Sequence, residues 1–212
     1  MVKKGKFIAI EGIDGSGKTS QINLLKERIQ KTNHAVYTTQ EPSDGPFGAM
    51  LRQFLRGRMS TDESALATLF AADRLDHLSN NSDGLMDKIN RGTTVICDRY
   101  LLSSYAYQSV RSPLDWVKDL NRVARDLQKV DCHIFINVSP ELAIKRIAHG
   151  RQGRELFETT ERLEAVRNKY LSIIEDLKDE ENIIVIDGDK SIEEISDDIW
   201  AGVSHLFENN DH

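Results

Sequence analysis

The sequence predicts an α/β domain in which helices cover both faces of a parallel β-sheet. Short apolar runs rich in β-branched residues alternate along the chain with longer charged segments of helical periodicity. The apolar runs are nearly continuous, which is typical of strands that are buried on both faces. Because the chain has 212 residues, it is long enough for one full domain of this class and short for two. We therefore expect a single domain over residues 1–212.

Five apolar runs are the predicted strands, at residues 7–10, 35–39, 93–97, 133–138 and 183–186. Three of the intervening segments, the first at residues 18–31, place apolar side chains at helical spacing. The three stripes are Ile22, Leu25 and Ile29; Leu66, Leu69, Phe70 and Ala72; and Leu163, Val166, Tyr170, Ile173 and Ile174. Alternation of strands and helices in this order predicts helices on both sides of the sheet.

Charge and composition argue against several classes of partner. The 28 Lys and Arg residues are outnumbered by 34 Asp and Glu residues, which gives a net charge of −6. A protein that holds long nucleic acid usually has the opposite sign, so we expect no nucleic-acid partner and only local phosphate binding. The N-terminus has too few apolar residues for a signal sequence, and no run approaches the roughly 20 apolar residues of a membrane span. We expect a cytoplasmic protein with no membrane partner, in which Cys97 and Cys132 are buried, reduced thiols.

A glycine-rich loop follows the first predicted strand. Gly12, Gly17, Lys18 and Thr19 match the phosphate-loop pattern G-x-x-x-x-G-K-[ST] at the required junction between a strand and a helix. Glycines let successive backbone N–H groups converge on an anion, and the helix presents its positive end to the same phosphates. Lys18 is expected to bind the β- and γ-phosphates, and the Thr19 hydroxyl to bind Mg²⁺. The loop therefore predicts an ATP site made of Gly12, Ile13, Asp14, Gly15, Ser16, Gly17, Lys18, Thr19 and Ser20.

Two acidic residues and an arginine are placed to serve the metal or a second substrate. Asp98 and Arg99 follow the third predicted strand, where an acid can hold the metal and an arginine can bind a second phosphate in bidentate fashion. Asp14 would be repelled by the triphosphate, so its carboxylate suits a sugar hydroxyl of another substrate. The same residues are also compatible with a structural ion pair and a solvated turn aspartate.

One face of the predicted helix around residue 70 combines apolar and basic side chains. Leu66, Phe70, Arg74 and His77 follow at spacings of four, four and three residues, so they share that face. An aromatic plane beside a fixed donor suits a nucleobase that has carbonyl oxygens. Packing in the core explains the spacing equally well.

Taken together, these motifs resemble the thymidylate kinase family. The resemblance is carried by the loop containing Asp14, by TTQEPSDGPFG, by LFAADRLDH and by ICDRYLLSSYAYQ, and it extends over most of residues 5–190. It implies a P-loop three-layer sandwich with a five-stranded parallel sheet, helices on both faces and a small lid at about residues 146–158. It also implies a homodimer that transfers the γ-phosphoryl group of ATP to dTMP, giving dTDP and ADP.

The resemblance implies roles for residues on the acceptor side. Phe70 would stack on the thymine ring, and Arg74 would donate to a base carbonyl. Ser104 and Gln108 would lie near the edge of the base, while Tyr107 would crowd the 2′ position of the sugar and disfavour ribose.

Four further residues would surround the rest of dTMP. Arg99 would bind its phosphate with help from Arg52, and Glu41 would lie near that phosphate and the waters of the metal. Asp14 would meet the 3′-hydroxyl, in agreement with the electrostatic argument above.

The sequence departs from the family pattern in the lid and after the second strand. Gln40 stands where many members have arginine, and the lid reads RQGRELFE in place of the commoner D-R-x-E. Because the phosphate loop has no arginine between Gly12 and Gly17, the cation that stabilises the transition state must come from elsewhere. Arg146, Arg151 and Arg154 are the candidates. We favour Arg151 and Arg154 because neighbouring glycines suit a closing lid, although a solvated basic loop fits the same residues.

Three other functions remain open at this point. The first is a P-loop kinase for another nucleotide, deoxynucleotide or deoxynucleoside. The second is a non-catalytic switch module that binds a nucleoside triphosphate, in which Asp98, Arg99, Phe70 and Arg74 would have no purpose. The third, a nucleic-acid-dependent ATPase, is disfavoured by the acidic charge balance.

Overall fold

A five-stranded parallel sheet forms the centre of the protein. The computed structural model describes residues 3–150 and 159–208. Its strands are β1 Phe7–Glu11, β2 Val36–Gln40, β3 Thr94–Asp98, β4 Cys132–Asn137 and β5 Ile183–Asp187, in the spatial order β2-β3-β1-β4-β5. All neighbours pair in parallel. The predicted α/β fold and its five strands are confirmed, each strand within one residue at either end.

The three central strands explain why the apolar runs are continuous. β1 is buried at every residue, and β3 and β4 are buried at all but their last, whereas the edge strands β2 and β5 are partly exposed. Ile10 pairs with Asp98, and Glu11 pairs with Phe135. The carboxyl ends of β1 and β3 therefore lie side by side, at the point where the chain order reverses direction across the sheet. In open parallel sheets this is where ligands bind.

Nine α-helices and a final 3₁₀ turn are present in the described part of the chain. They are α1 Lys18–Gln30, α2 Pro46–Leu55, α3 Glu63–Ser79, α4 Leu85–Asn90, α5 Leu101–Gln108, α6 Leu114–Leu127, α7 Pro140–Gly150, α8 Thr160–Leu177, α9 Ile192–Val203 and the turn Ser204–Leu206. On one face of the sheet, α1 and α9 pack against Ile8 and Ile10. On the other face, α4, α5, α6 and α8 pack against Phe7 and Ala9. Helices thus cover both faces, as predicted.

The predicted apolar stripe of α3 is wrong, because none of its four residues, Leu66, Leu69, Phe70 and Ala72, is fully buried. The residues that α3 buries are Ala67, Ala71, Asp73, Arg74 and Leu78. Leu66 and Phe70 are only half-buried, because their face of the helix borders a cavity and not the core. The predicted stripes of α1 and α8 are confirmed, since each of their apolar residues is buried.

The structure also bears on the expectations for the cysteines, for membrane-spanning helices and for the lid. Cys97 and Cys132 are buried and free, as predicted. None of the helices in the described ranges has the length and apolar character needed to cross a membrane. Most of the predicted lid, including Arg151 and Arg154, lies outside the described residues, while Arg146 lies on α7.

Candidate active site

A cavity of about 1060 Å³ opens at the carboxyl ends of β1, β2 and β3. This volume is at the upper end of the range of about 300–1,000 Å³ that is typical of ligand pockets. The sequence-predicted site residues that line it are Asp14, Gly15, Ser16, Gly17, Lys18, Thr19, Ser20, Glu41, Arg52, Phe70, Arg74, Asp98, Arg99, Ser104, Tyr107, Gln108 and Arg146. Gly12 and Ile13 do not line it, although they belong to the predicted loop. The structure thus brings donor-site and acceptor-site candidates into one cavity.

The phosphate loop depends on glycines for its shape and for its packing. Gly12, Gly15 and Gly17 have φ angles of 149°, 80° and 92°, which L-residues with side chains rarely adopt. A Cβ atom on Gly15 would lie 2.4 Å from the carbonyl oxygen of Ala143 on α7, so the loop contacts that helix directly. Since α1 begins at Lys18, the positive end of its helix dipole lies at the cavity.

Lys18 bridges the phosphate loop and the end of β3. Its Nζ donates to the carbonyl oxygens of Gly12 and Ile13 at 3.2 Å each and lies 4.0 Å from Asp98 Oδ1. Burial, with a smaller contribution from the nearby Arg99 cation, lowers the pKa of Lys18 to about 8. Asp98 Oδ1 is buried and has no hydrogen-bond partner among the described residues. This oxygen suits a cation, so the acid fits the predicted metal site.

Arg99 is held at the cavity in a backbone conformation that is unusual for arginine. Its φ angle is +70°. Its Nη2 donates to Asp14 Oδ1 at 2.7 Å and to the Tyr107 hydroxyl at 3.1 Å, and the guanidinium carbon lies 4.8 Å from the centre of the Tyr107 ring. Non-glycine residues with positive φ are uncommon and cluster at functional sites. The predicted phosphate ligand and the predicted sugar ligand are therefore direct neighbours.

Arg74 is almost completely buried, and the protein itself occupies its donors. Nε and Nη2 donate to Glu41 Oε2 at 2.9 and 2.6 Å, and Nη2 also donates to the Tyr100 carbonyl oxygen at 3.2 Å. Nη1 donates to Ser104 Oγ at 2.9 Å and to Asn121 Oδ1. A guanidinium has five N–H groups, so a bond to a base carbonyl requires one of them to be shared. The contact between Arg74 and the base stays a prediction. The hydrogen bonds of Arg74 within the protein show that it also has a structural role.

The segment after β2 is held by a second buried acid that sequence reasoning missed. Asp73 accepts from the Ser43 backbone N–H at 2.8 Å and from its hydroxyl at 2.6 Å. Arg52 donates to the Pro42 carbonyl oxygen at 3.1 Å. Glu41, directly before this turn, lies with its Oε1 3.3 Å from His77 Nδ1. The turn is therefore fixed at the point where Glu41 and Arg52 enter the cavity.

A cluster beneath Arg99 was also missed. Glu11 is fully buried at the end of β1 and accepts from the Tyr100 N–H at 3.0 Å, from the Ser103 hydroxyl, and from the Tyr170 hydroxyl at 3.3 Å. Burial raises the pKa of Glu11. The available signal was a carboxylate at the end of an apolar run, directly before the glycine-rich loop.

Two remaining candidates, Arg146 and Gln108, also line the cavity. Arg146 Nη1 approaches the Ser16 carbonyl oxygen of the phosphate loop at 3.5 Å, so one of the three candidate lid arginines is beside the predicted donor site. Gln108 Oε1 is buried and has no hydrogen-bond partner within the described ranges. Together with half-buried Phe70, it leaves a polar atom and an aromatic ring available to an acceptor base.

Comparison with known proteins gives a consistent result. The family model for thymidylate kinase matches residues 10–199. The chain is 39% identical over 202 residues to the probable thymidylate kinase of Methanocaldococcus jannaschii, covering 94% of this chain and 96% of that protein. It is 38% identical over 198 residues to the probable thymidylate kinase of Methanococcus aeolicus, with 92% and 93% covered. The corresponding protein of Pyrococcus abyssi is 34% identical over 208 residues, with 95% and 97% covered.

Proposed function

The chain belongs to the thymidylate kinase family, and from this premise we propose how its cavity carries out the family reaction. The protein is a phosphotransferase, a nucleoside monophosphate kinase that transfers the γ-phosphoryl group of ATP to dTMP and forms dTDP and ADP. One observation supports the assignment of donor and acceptor sites. Because Ile10 and Asp98 pair across β1 and β3, the phosphate loop after β1 and Arg99 after β3 face the same cavity.

The donor side is the phosphate loop together with the residues around it. Backbone N–H groups of the loop and the start of α1 would bind the phosphates of ATP, with Lys18 as a point charge at the β- and γ-phosphates. Mg²⁺ bound with ATP would be held by Thr19 and Asp98 and would neutralise charge on those phosphates. The fit of Asp98 rests on its buried oxygen without a hydrogen-bond partner among the described residues.

The acceptor side lies between α3 and α5. Phe70 would stack on the thymine ring, and Ser104 and Gln108 would lie at the edge of the base. Tyr107, which contacts Arg99, would lie close to the 2′ position of the sugar. A ribose 2′-hydroxyl would then be too close to its ring, so deoxyribose would be preferred. Arg99 would bind the acceptor phosphate, helped by Arg52 and with Glu41 nearby, and Asp14 would accept from the 3′-hydroxyl.

Transfer requires positioning and charge neutralisation more than a covalent residue. At pH 7 the acceptor phosphate is largely dianionic, since its second pKa is about 6, so a dedicated general base is unnecessary. The main obstacle is the repulsion between two polyanions. Lys18 and Arg99 offset it, and Arg146 adds a cation at the donor phosphates because it already contacts the loop at Ser16. Catalysis by Arg151 and Arg154 stays a prediction.

The experiment that tests the assignment is a panel of acceptors. Purified protein with MgATP is given dTMP, dUMP, dCMP, AMP or GMP, and ADP release is followed in a coupled assay. We expect dTMP to give the highest kcat/KM. A comparable rate with every acceptor, or ADP release that does not depend on an acceptor, contradicts the proposal. Size-exclusion chromatography with light scattering tests the proposed homodimer.

A further inference from the structure

Two hydrogen bonds to β1 hold the strained backbone at Arg99. The N–H of Arg99 donates to the Ile10 carbonyl oxygen at 2.9 Å, and the next N–H, that of Tyr100, donates to Glu11 Oε1 at 3.0 Å. A left-handed arginine persists only when its surroundings over-determine its conformation. The Glu11 carboxylate is therefore one of the two anchors of the Arg99 backbone.

The same carboxylate reaches the Arg99 side chain through two hydroxyl groups. Arg99 Nη1 donates to Ser103 Oγ at 3.3 Å and approaches the Tyr170 hydroxyl at 3.5 Å. These hydroxyls are 2.7 Å apart, and both donate to Glu11 Oε2. A carboxylate can only accept and a guanidinium can only donate, whereas a hydroxyl does both. The two hydroxyls thus form the connection that joins the buried acid to the arginine.

Glu11 and Tyr170 do not line the cavity, although Arg99 and Ser103 do. Any influence of these two residues on a bound nucleotide must act through the residues that they hold. The Tyr170 ring is also stacked on Phe135, with 4.8 Å between the ring centres. Removal of the hydroxyl alone therefore leaves the packing of the ring in place.

We propose that Glu11 and Tyr170 are positioning residues that aim the Arg99 guanidinium at the acceptor phosphate. The inference rests on the proposed function, because it takes Arg99 as the ligand of the dTMP phosphate. Asp14 and Tyr107 fix Nη2, and the hydroxyl pair fixes Nη1, so the guanidinium plane is set from both of its terminal nitrogens. Ordering of the arginine before substrate arrives reduces the entropy lost on binding.

The test compares dTMP with thymidine, which has the same base and sugar but no phosphate. Dissociation constants for both are measured by calorimetry without ATP, for wild type, Tyr170→Phe and Glu11→Gln. We expect each variant to bind dTMP about tenfold more weakly, in line with the loss of one hydrogen bond near a charged group, and thymidine within about twofold of wild type. In steady-state assays KM for dTMP should rise while KM for ATP stays the same.

A matched control is available on α5, the helix that carries Ser103. Tyr105 on α5 also has a buried hydroxyl, but this hydroxyl has no hydrogen-bond partner among the described residues. Tyr105→Phe should therefore leave both dissociation constants unchanged. In an Arg99→Ala background, Tyr170→Phe should have no further effect on dTMP, because the residue through which it acts is gone.

The outcomes separate this inference from the proposed function. If Tyr170→Phe weakens thymidine as much as dTMP, or weakens neither, the positioning role is wrong even though the enzyme phosphorylates dTMP. If the wild-type protein binds dTMP no more tightly than thymidine, the assignment of Arg99 to the phosphate is wrong, and the proposed acceptor site fails with it. Should Glu11→Gln not fold, Tyr170→Phe alone decides.

Discussion

Lys18 is a buried cation, and we expect its charge state to control donor binding. Burial lowers its pKa to about 8, so it is protonated at pH 7 and loses its proton as the pH rises above 8. A bound triphosphate favours the protonated form. We therefore expect the affinity for MgATP, measured by calorimetry without dTMP, to fall about tenfold between pH 7 and pH 9. Lys18→Met should bind weakly at both pH values. Equal wild-type affinity at pH 7 and pH 9, together with wild-type affinity in Lys18→Met, would show that Lys18 does not contact the phosphates.

A substitution of Phe70 distinguishes a role in acceptor binding from a role in packing. Its ring is half-buried and lines the cavity, and stacking of a base on an aromatic ring is worth about 1–3 kcal/mol. Phe70→Ala should therefore weaken dTMP by about 5- to 150-fold and leave MgATP unchanged. Phe47→Ala, on α2 and outside the cavity lining, is the matched control. An equal loss of affinity for both nucleotides would mean that Phe70 only supports the fold.

The site residues that the sequence predicted belong to local patterns. The residues that it missed have partners far away along the chain. The phosphate loop is a local pattern, because the glycines that shape it and the lysine that it presents are within six positions. Tyr170 and Glu11 are 159 positions apart, so only the folded sheet shows that they meet. The full occupation of Arg74 depends on acceptors from separate elements, among them Asn121 on α6. No spacing rule contains such information.

At the scale of elements, the strands were the most predictable part of the fold. β1, β3 and β4 are covered on both faces, which requires continuous apolar runs and gives the clearest signal in the sequence. The buried face of helix α3 was harder to predict because the helix contacts both the protein interior and the cavity. It packs Ala67 and Ala71 into the interior and turns Leu66 and Phe70 toward the cavity. Apolarity alone does not distinguish a face that packs from a face that binds a ligand.

Arg74 connects α3 to α5, α6 and the segment after β2, so it should contribute to stability as well as to binding. Its partner Glu41 is also buried. Loss of one partner of a buried ion pair leaves the other charge uncompensated, at a cost of about 3–5 kcal/mol. Arg74→Met should lower the free energy of unfolding in urea by about that amount.

The double variant Arg74→Met/Glu41→Gln tests whether the loss comes from the uncompensated charge. It should recover part of the stability, because no charged partner is left unpaired. Arg91→Met, in an exposed pair with Asp87, should change the free energy of unfolding by less than about 1 kcal/mol. If the Arg74 and Arg91 variants were equally stable, the buried network would have no structural role.

At the scale of the whole molecule, a histidine in the central sheet links stability to pH. His133 on β4 is buried, and its Nδ1 has no hydrogen-bond partner in the described part of the chain. Burial lowers the pKa of His133 from 6.5 to about 3. Between these values the unfolded chain binds a proton that the folded chain does not, so the free energy of unfolding decreases as the pH falls below 6.5.

The expected size of this effect follows from the interval between the two pKa values. At pH 5 the contribution of His133 is a loss of about 2 kcal/mol relative to pH 7.5, at about 1.4 kcal/mol for each pH unit. Urea unfolding of wild type and His133→Leu at both pH values isolates this contribution from that of the carboxylates, which both proteins share. The variant should lose about 2 kcal/mol less than wild type on acidification, while His205→Leu, at an exposed site, should follow wild type. Parallel losses in wild type and His133→Leu would show that the buried ring does not resist protonation in the folded state.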